Sequence, residues 1–165
     1  MPAEFEIVTS SPAETQALGE TLGHLVRPGD IILLAGPLGA GKTCFVQGLA
    51  QGLGIKGTTP SPTFMLAREY PQGRLPLYHL DLYRLEFKEI AELGLDEYLY
   101  GQGVAAVEWA DKDPELMSGE HLLIEIVYAD GGARYLHFKP RGGHYPELIQ
   151  ALVPKFKPEG GEKCI

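Results

Sequence analysis

Apolar residues recur along this chain in two periodic rhythms and in unbroken runs, and each pattern predicts a different element. Phe5-Glu6-Ile7-Val8-Thr9 alternates with the period of a half-buried strand. Ser11-Pro12-Ala13-Glu14 has the form of a capping box with proline at the first helical position. Leu18, Leu22 and Leu25 follow at helical spacing before Pro28-Gly29 ends the helix. The unbroken run Ile31-Ile32-Leu33-Leu34-Ala35 is the pattern of a strand covered on both faces. Beyond it, Phe45, Val46, Leu49, Ala50 and Leu53 return to helical spacing, with Gly54 as the stop.

The second half reads differently. Residues 57–62 are rich in Thr, Ser and Pro and form a loop. Residues 63–70 and 74–80 read as two strands joined into a hairpin by Pro71-Gln72-Gly73. A helix is expected over 86–93 and a further turn over 96–99. Val104-Ala105-Ala106-Val107 is a second buried run, and strands over 121–128 and 134–138 flank the hairpin turn Asp130-Gly131-Gly132. A last helix spans 145–153, and the Pro, Gly, Lys and Glu content of 154–165 is that of a frayed tail. No repeat or linker divides the chain, so one domain over 1–153 is expected. Early strand–helix alternation and later strand pairs predict an α/β sandwich flanked by helices, its mixed sheet parallel at the centre with antiparallel additions.

Composition narrows the function. The 165 residues carry a net charge of −8 and no basic run, which argues against a direct, nonspecific grip on nucleic acid. No window approaches the ~18 continuous apolar residues of a membrane span, and the acidic start Met1-Pro2-Ala3-Glu4-Phe5-Glu6 lacks the features of a signal peptide. The two cysteines, Cys44 and Cys164, belong to no metal or redox motif; free thiols in a reducing cytoplasm are the expectation.

Chemistry concentrates between the first buried run and the helix behind it. Gly36-Pro37-Leu38-Gly39-Ala40-Gly41-Lys42-Thr43 fits G-x-x-x-x-G-K-[ST], the phosphate-binding P-loop. Its glycines let successive N–H groups face phosphate oxygens, so Gly36, Leu38, Gly39, Ala40, Gly41, Lys42, Thr43 and the adjoining Cys44 are candidate nucleotide contacts. Lys42 would reach the outer phosphates, and the Thr43 hydroxyl would ligate Mg²⁺. The helix N-terminus adds partial positive charge beneath them. Such a loop needs a carboxylate at a neighbouring strand end. Asp81 and Glu108 each end an apolar strand, and either could serve. Ser61-Pro62-Thr63 occupies the place of a switch loop. Trp109 either stacks at the site or anchors the strand end, and His79 is expected to be packed or exposed.

The P-loop, Ser61-Pro62-Thr63-Phe64, Tyr78-His79-Leu80-Asp81-Leu82-Tyr83-Arg84 and Val107-Glu108-Trp109 together resemble the TsaE family, also called YjeE, in order and spacing. The resemblance runs from about Phe5 to Phe138. It implies a small P-loop ATPase of the cytoplasm, with ATP or ADP and Mg²⁺ as its ligands. It also implies the proteins TsaD and TsaB as partners in completing N6-threonylcarbamoyladenosine (t6A) on tRNAs that read ANN codons, with tRNA contacted only indirectly. Carried over by position, Lys42 and Thr43 bind phosphate and Mg²⁺, Glu108 is the acid near the metal, and Asp81 holds the metal or polarises water. Thr63 belongs to the switch, Ser10 and Thr15 lie near the base, and Arg134 approaches the nucleotide. The chain departs from the family at Pro37, where an acid is usual, and at Cys44, where a threonine is common; phosphate affinity or turnover is expected to differ accordingly.

Other classes fit less well. A small-molecule kinase would need an arginine-rich lid, and no such cluster is present. A GTPase would carry N-K-x-D, which Ala110-Asp111-Lys112-Asp113 does not supply. A nucleotide-sensing scaffold without useful hydrolysis is the remaining alternative.

Overall fold

The computed structural model describes residues 4–37, 41–56, 67–83, 85–92, 99 and 101–156. Strand β1 (Phe5–Thr9) leads into α1 (Pro12–Leu25), whose N-cap Ser11 accepts from the Glu14 N–H at 3.2 Å. The Glu14 carboxylate returns to the Ser10 N–H at 2.8 Å, one residue before the usual partner in a capping box. Strand β2 (Ile31–Ala35) is buried throughout, and α2 (Lys42–Gly52) starts at the lysine of the P-loop. Then come β3 (Ala67–Tyr70), β4 (Leu77–Asp81), α3 (Phe87–Glu92), β5 (Val104–Glu108), α4 (Pro114–Ser118), β6 (His121–Tyr128), β7 (Arg134–Arg141) and α5 (Tyr145–Lys155).

These strands form one seven-stranded sheet in the order β1-β7-β6-β2-β5-β4-β3. The pairs β6–β2, β2–β5 and β5–β4 are parallel; β1–β7, β7–β6 and β4–β3 are antiparallel. The mixed, centrally parallel sheet expected from the pattern is therefore present. One face packs Ile32, Leu34, Ala106 and Ile124 against Leu18, Leu22, Phe45 and Leu49, with Leu148 and Leu152 of α5 completing that layer. The other packs Ile31, Leu33, Ala105 and Val107 against Ile90 and Leu116. Full burial of each such side chain contributes roughly 1.5–3 kcal/mol. Helices α1 and α2 cross closely because Gly19, Gly23, Gly48 and Gly52 face one another's backbone; a Cβ at Gly48 would lie 1.9 Å from the Gln16 carbonyl oxygen.

Several bounds differ from expectation. Strand β4 starts at Leu77, not 74, since Pro76 has no N–H for the ladder; Arg74 instead donates to the Gly23 and Val26 carbonyls at the end of α1. Strand β7 runs on to Arg141 because its whole length pairs with β6. The tail expected from 154 is contradicted at its start: Pro154 and Lys155 continue α5 and Phe156 is buried in the core; the rest of that stretch, 157–165, lies outside the described residues. The loop 57–62, the start of the expected strand 63–70 and most of the turn 96–99 lie outside the described residues, as do Leu38, Gly39, Ala40 and Thr63. Among the described residues, no helix is long and apolar enough to cross a membrane.

Candidate functional site

Parallel pairing sets the site. Register places Asp81 of β4 beside Glu108 of β5, and Leu34 of β2 on Glu108's other side. Strand alternation then puts His79, Asp81, Ala106 and Glu108 on the face covered by α2. Both carboxylates thus emerge at the carboxyl ends of parallel strands, under the N-terminus of the P-loop helix.

The loop's two described glycines have the conformations the motif needs. Gly36 has φ +142°, and a Cβ there would run into the Ile126 carbonyl. Gly41 has φ +115° and N-caps α2 without a side chain. The next residue, Lys42, is 4% exposed. Its ammonium donates to the Gly36 carbonyl at 2.6 Å and the Pro37 carbonyl at 2.8 Å, and it lies 4.1 Å above the Trp109 ring. Burial pushes the Lys42 ammonium below the usual lysine range, while Glu108, Asp81 and Asp111 pull the other way.

Thr43 donates its hydroxyl to Glu108 Oε1 at 3.3 Å. The second Glu108 oxygen, Oε2, meets His79 Nε2 at 2.5 Å. Asp81 is 6% exposed and accepts from the Tyr83 N–H at 2.9 Å. Trp109 takes a left-handed conformation, φ 60°, and its ring lies 4.8 Å from that of Tyr83. The Trp109 alternatives are thus joined: the residue ends the strand and also faces the site lysine.

Lys42, Thr43, Asp81, Glu108 and Trp109 are brought together here. A second group lies along the same sheet edge. Thr9 pairs with Arg134, which puts Ser10 beside the start of β7. Ser10 is exposed, whereas Thr15 is buried with its hydroxyl bonded to Thr9 Oγ1 at 2.7 Å and its methyl turned to Gly41. Arg134 donates to the Gly132 and Ala133 carbonyls and lies 4.4 Å over the Tyr128 ring. Cys44 donates its S–H to the Pro12 carbonyl at 3.1 Å, and burial raises its thiol pKa against the pull of Arg134.

His79 is the site neighbour that reasoning from the chain left unplaced between packed and exposed. It is fully buried and bonded to a candidate metal acid. The signal was its spacing: two residues before Asp81 on a strand means the same face.

The Thr43 hydroxyl and the Glu108 and Asp81 carboxylates are hard oxygen donors of the kind Mg²⁺ takes. Among the described residues, no group of three or more His, Cys, Asp or Glu side chains could hold a metal by itself.

Known proteins resemble this chain in sequence and in fold. The profile of the family described as "Threonylcarbamoyl adenosine biosynthesis protein TsaE" matches residues 9–136. A tRNA threonylcarbamoyladenosine biosynthesis protein TsaE from Bacillus subtilis is 46% identical over 144 residues, covering 87% of this chain and 90% of the relative. Its counterpart from a Nostoc species is 43% identical over 148 residues, covering 87% and 91%. The crystal structure of Bacillus YdiB superposes with a TM-score of 0.82 at 40% identity, covering 93% of this chain and 97% of that one.

Proposed function

The chain belongs to the TsaE family and is thus a protein of t6A biosynthesis with a P-loop fold, and from that premise we propose that it binds and hydrolyses ATP with Mg²⁺. The observation that carries the proposal is the convergence of Lys42, Thr43, Glu108 and Asp81 at the carboxyl ends of β2, β4 and β5. Lys42 leaves its two loop carbonyls to neutralise the outer phosphates. The Thr43 hydroxyl and Glu108 hold the metal, and Asp81, beside Glu108 in register, orients the attacking water. Bound Mg²⁺ supplies neutralisation of charge developing on the transferred phosphoryl group.

Two features support slow turnover that depends on a partner. Phosphoryl transfer relies on positioning and charge stabilisation, yet among the described residues the arginine of the neighbouring group, Arg134, is held on loop carbonyls and the Tyr128 ring. Pro37 also supplies no N–H to the phosphate cradle. We assign the missing stabilisation to a complex of the proteins TsaD and TsaB, on which this protein acts, with tRNA contacted through them and the cytoplasm as the compartment.

The test is labelled phosphate release from ATP by the purified protein, with and without TsaB and TsaD. Release that needs Mg²⁺ and rises when the pair is added is expected. Absence of any stimulation by the pair would sink the assignment. Binding without release in either condition would favour a nucleotide-sensing scaffold, and phosphate transfer to a metabolite a kinase.

A further inference from the structure

Beneath the proposed metal acids sits a buried imidazole whose geometry serves only one neighbour. His79 is 0% exposed. Register pairs it with Ala106, whose methyl leaves room for the ring to lean diagonally toward Glu108, two residues further along β5. Nε2 meets Glu108 Oε2 at 2.5 Å, and Nδ1 is buried without a hydrogen-bond partner. A carboxylate can only accept, so Nε2 is the donor to Glu108. An orphaned buried polar atom such as Nδ1 is unfavourable, so the ring's one polar return is its bond to Glu108.

We infer that His79 is a positioning residue. By holding Oε2, it fixes the Glu108 side chain so that Oε1 is presented beside the Thr43 hydroxyl for the metal. Without it, Oε2 would be a buried oxygen lacking a donor. Glu108 could then relieve that cost by rotating Oε1 inward, away from Thr43. His79 would do for a metal-binding carboxylate what outer partners do for metal-binding side chains generally, which is to set orientation without touching the ion. The inference rests on the Mg²⁺-dependent site proposed above.

Two measurements test it, chosen so that the two ideas fail separately. The first needs neither metal nor nucleotide. Nitrogen-15 NMR of the His79 ring in the full chain should show a protonated Nε2 protected from exchange, with the Nε2–H resonance moving in Glu108→Gln. An unprotonated Nε2, or an Nε2–H exchanging at the solvent rate, would overturn the pairing. The second is a Mg²⁺ titration of phosphate release alongside Mg²⁺-free ADP binding. His79→Leu should raise the Mg²⁺ needed for half-maximal release by about 10–100-fold, with ADP binding unchanged. His79→Gln, whose amide N–H can reach the place of Nε2, should recover most of the loss. Should His79→Leu not fold, His79→Met fills similar space and carries the same comparison. Native Mg²⁺ dependence in the apolar variant, or a Gln variant as impaired as it, would overturn the positioning role. A native protein with no Mg²⁺ dependence at all would remove the functional proposal. The NMR pairing would then stand as a fold contact, and the positioning role would fall.

Discussion

Two carboxylate–imidazole pairs, one fully buried and one with its imidazole half-buried, stand at opposite ends of the parallel strands, alike in chemistry and unlike in what they leave over. At the amino end of β2, Asp30 Oδ1 meets His144 Nε2 at 2.5 Å, and Oδ2 accepts from the Arg27 N–H at 2.8 Å. The neighbouring Tyr145 hydroxyl accepts from the Ile31 N–H at 2.9 Å, so the start of α5 is tied to the start of the central strand. Both Asp30 oxygens are committed to holding backbone and helix in place. At the carboxyl end, Glu108 Oε2 is similarly committed to His79, but among the described residues Oε1 has only the Thr43 hydroxyl at 3.3 Å. A buried acid with its imidazole is therefore not a mark of a site by itself. What separates the two is spare accepting capacity aimed at a glycine-built phosphate loop.

The sharpest way to break this comparison is to make the same small change at each end. Lys42→Ala should have the largest effect of all, reducing phosphate release to background, since among the described residues no other cation lies on the loop carbonyls. Next come the amide replacements. Glu108→Gln keeps an oxygen for His79 and turns its NH₂ to the Thr43 hydroxyl, which can accept. It should hold the native melting temperature while Mg²⁺-dependent release falls about 100-fold or more, at or beyond the top of the range for loss of an indirect partner. Asp30→Asn can keep its oxygen on the Arg27 N–H only by turning its NH₂ to His144, which forces the ring into its other tautomer and removes the charge-assisted bonds of the carboxylate. It should lose about 1–3 kcal/mol of unfolding free energy, with release per folded molecule unchanged. Urea melts and phosphate release on the same preparations read both. An Asp30→Asn protein that stayed stable and lost turnover would dissolve the distinction.

Much of this contrast could be read along the chain, and the unread part has a common cause. Strands β1, β2 and β6 have the bounds that alternation and apolar runs predict, and Ser11 caps α1 as its tetrad implies. The site's first members, Lys42 and Thr43, lie in a local motif, and Asp81 and Glu108 end recognisable strands. Local pattern does not say which strands are neighbours. That β5 lies between β2 and β4, and so sets Glu108 beside Asp81, is long-range pairing. The same pairing turns His79 from a residue of undecided exposure into a partner of Glu108. Gly19, Gly23, Gly48 and Gly52 repeat at intervals of four, but their meaning depends on α1 crossing α2, which no single helix pattern contains. Asp30 and His144 are 114 residues apart, and nothing in the chain joins them before the fold does.

A third imidazole sharpens the comparison with a smaller, pH-dependent effect. His121, at the start of β6, is 3% exposed, and its Nδ1 has no hydrogen-bond partner. Among the described residues it has no carboxylate partner comparable to Glu108 or Asp30. Burial lowers its pKa, Arg141 lowers it further, and the Gly119 backbone acts in the opposite sense. With the folded pKa depressed, the unfolded chain binds the extra proton first. The stability His121 allows is complete above its unfolded value near 6.5 and is lost as pH falls through the lower folded value. Urea midpoints measured from pH 7 down to pH 5 should decline, and His121→Leu should flatten that decline. An undiminished decline in the variant would place the acid sensitivity outside His121.

The smallest effect belongs to Cys44, which stands next to Thr43 yet behaves like the groups at the structural end. Its S–H donates to the Pro12 carbonyl at 3.1 Å, linking the first turn of α2 to that of α1. Burial raises its pKa above the ordinary 9.0, and the opposing influences of Arg134 and the Gln16 backbone are weaker. A raised thiol pKa keeps the proton needed for that hydrogen bond. Its contribution to stability is present below the unfolded pKa and is lost only as pH rises through the folded one. The thiolate, which is the nucleophile, is correspondingly scarce near neutrality. In a Cys164→Ser background, iodoacetamide should therefore modify Cys44 more slowly at pH 7.5 than it modifies a free cysteine, with the rate inflecting above pH 9. Replacing the thiol by the hydroxyl of Cys44→Thr keeps a donor for Pro12 and should leave the melting temperature within a degree or two, the range expected of a change worth less than about 0.5 kcal/mol. Rapid alkylation at neutral pH would instead make Cys44 an activated thiol and place it with Lys42 and Glu108 among the groups poised for chemistry.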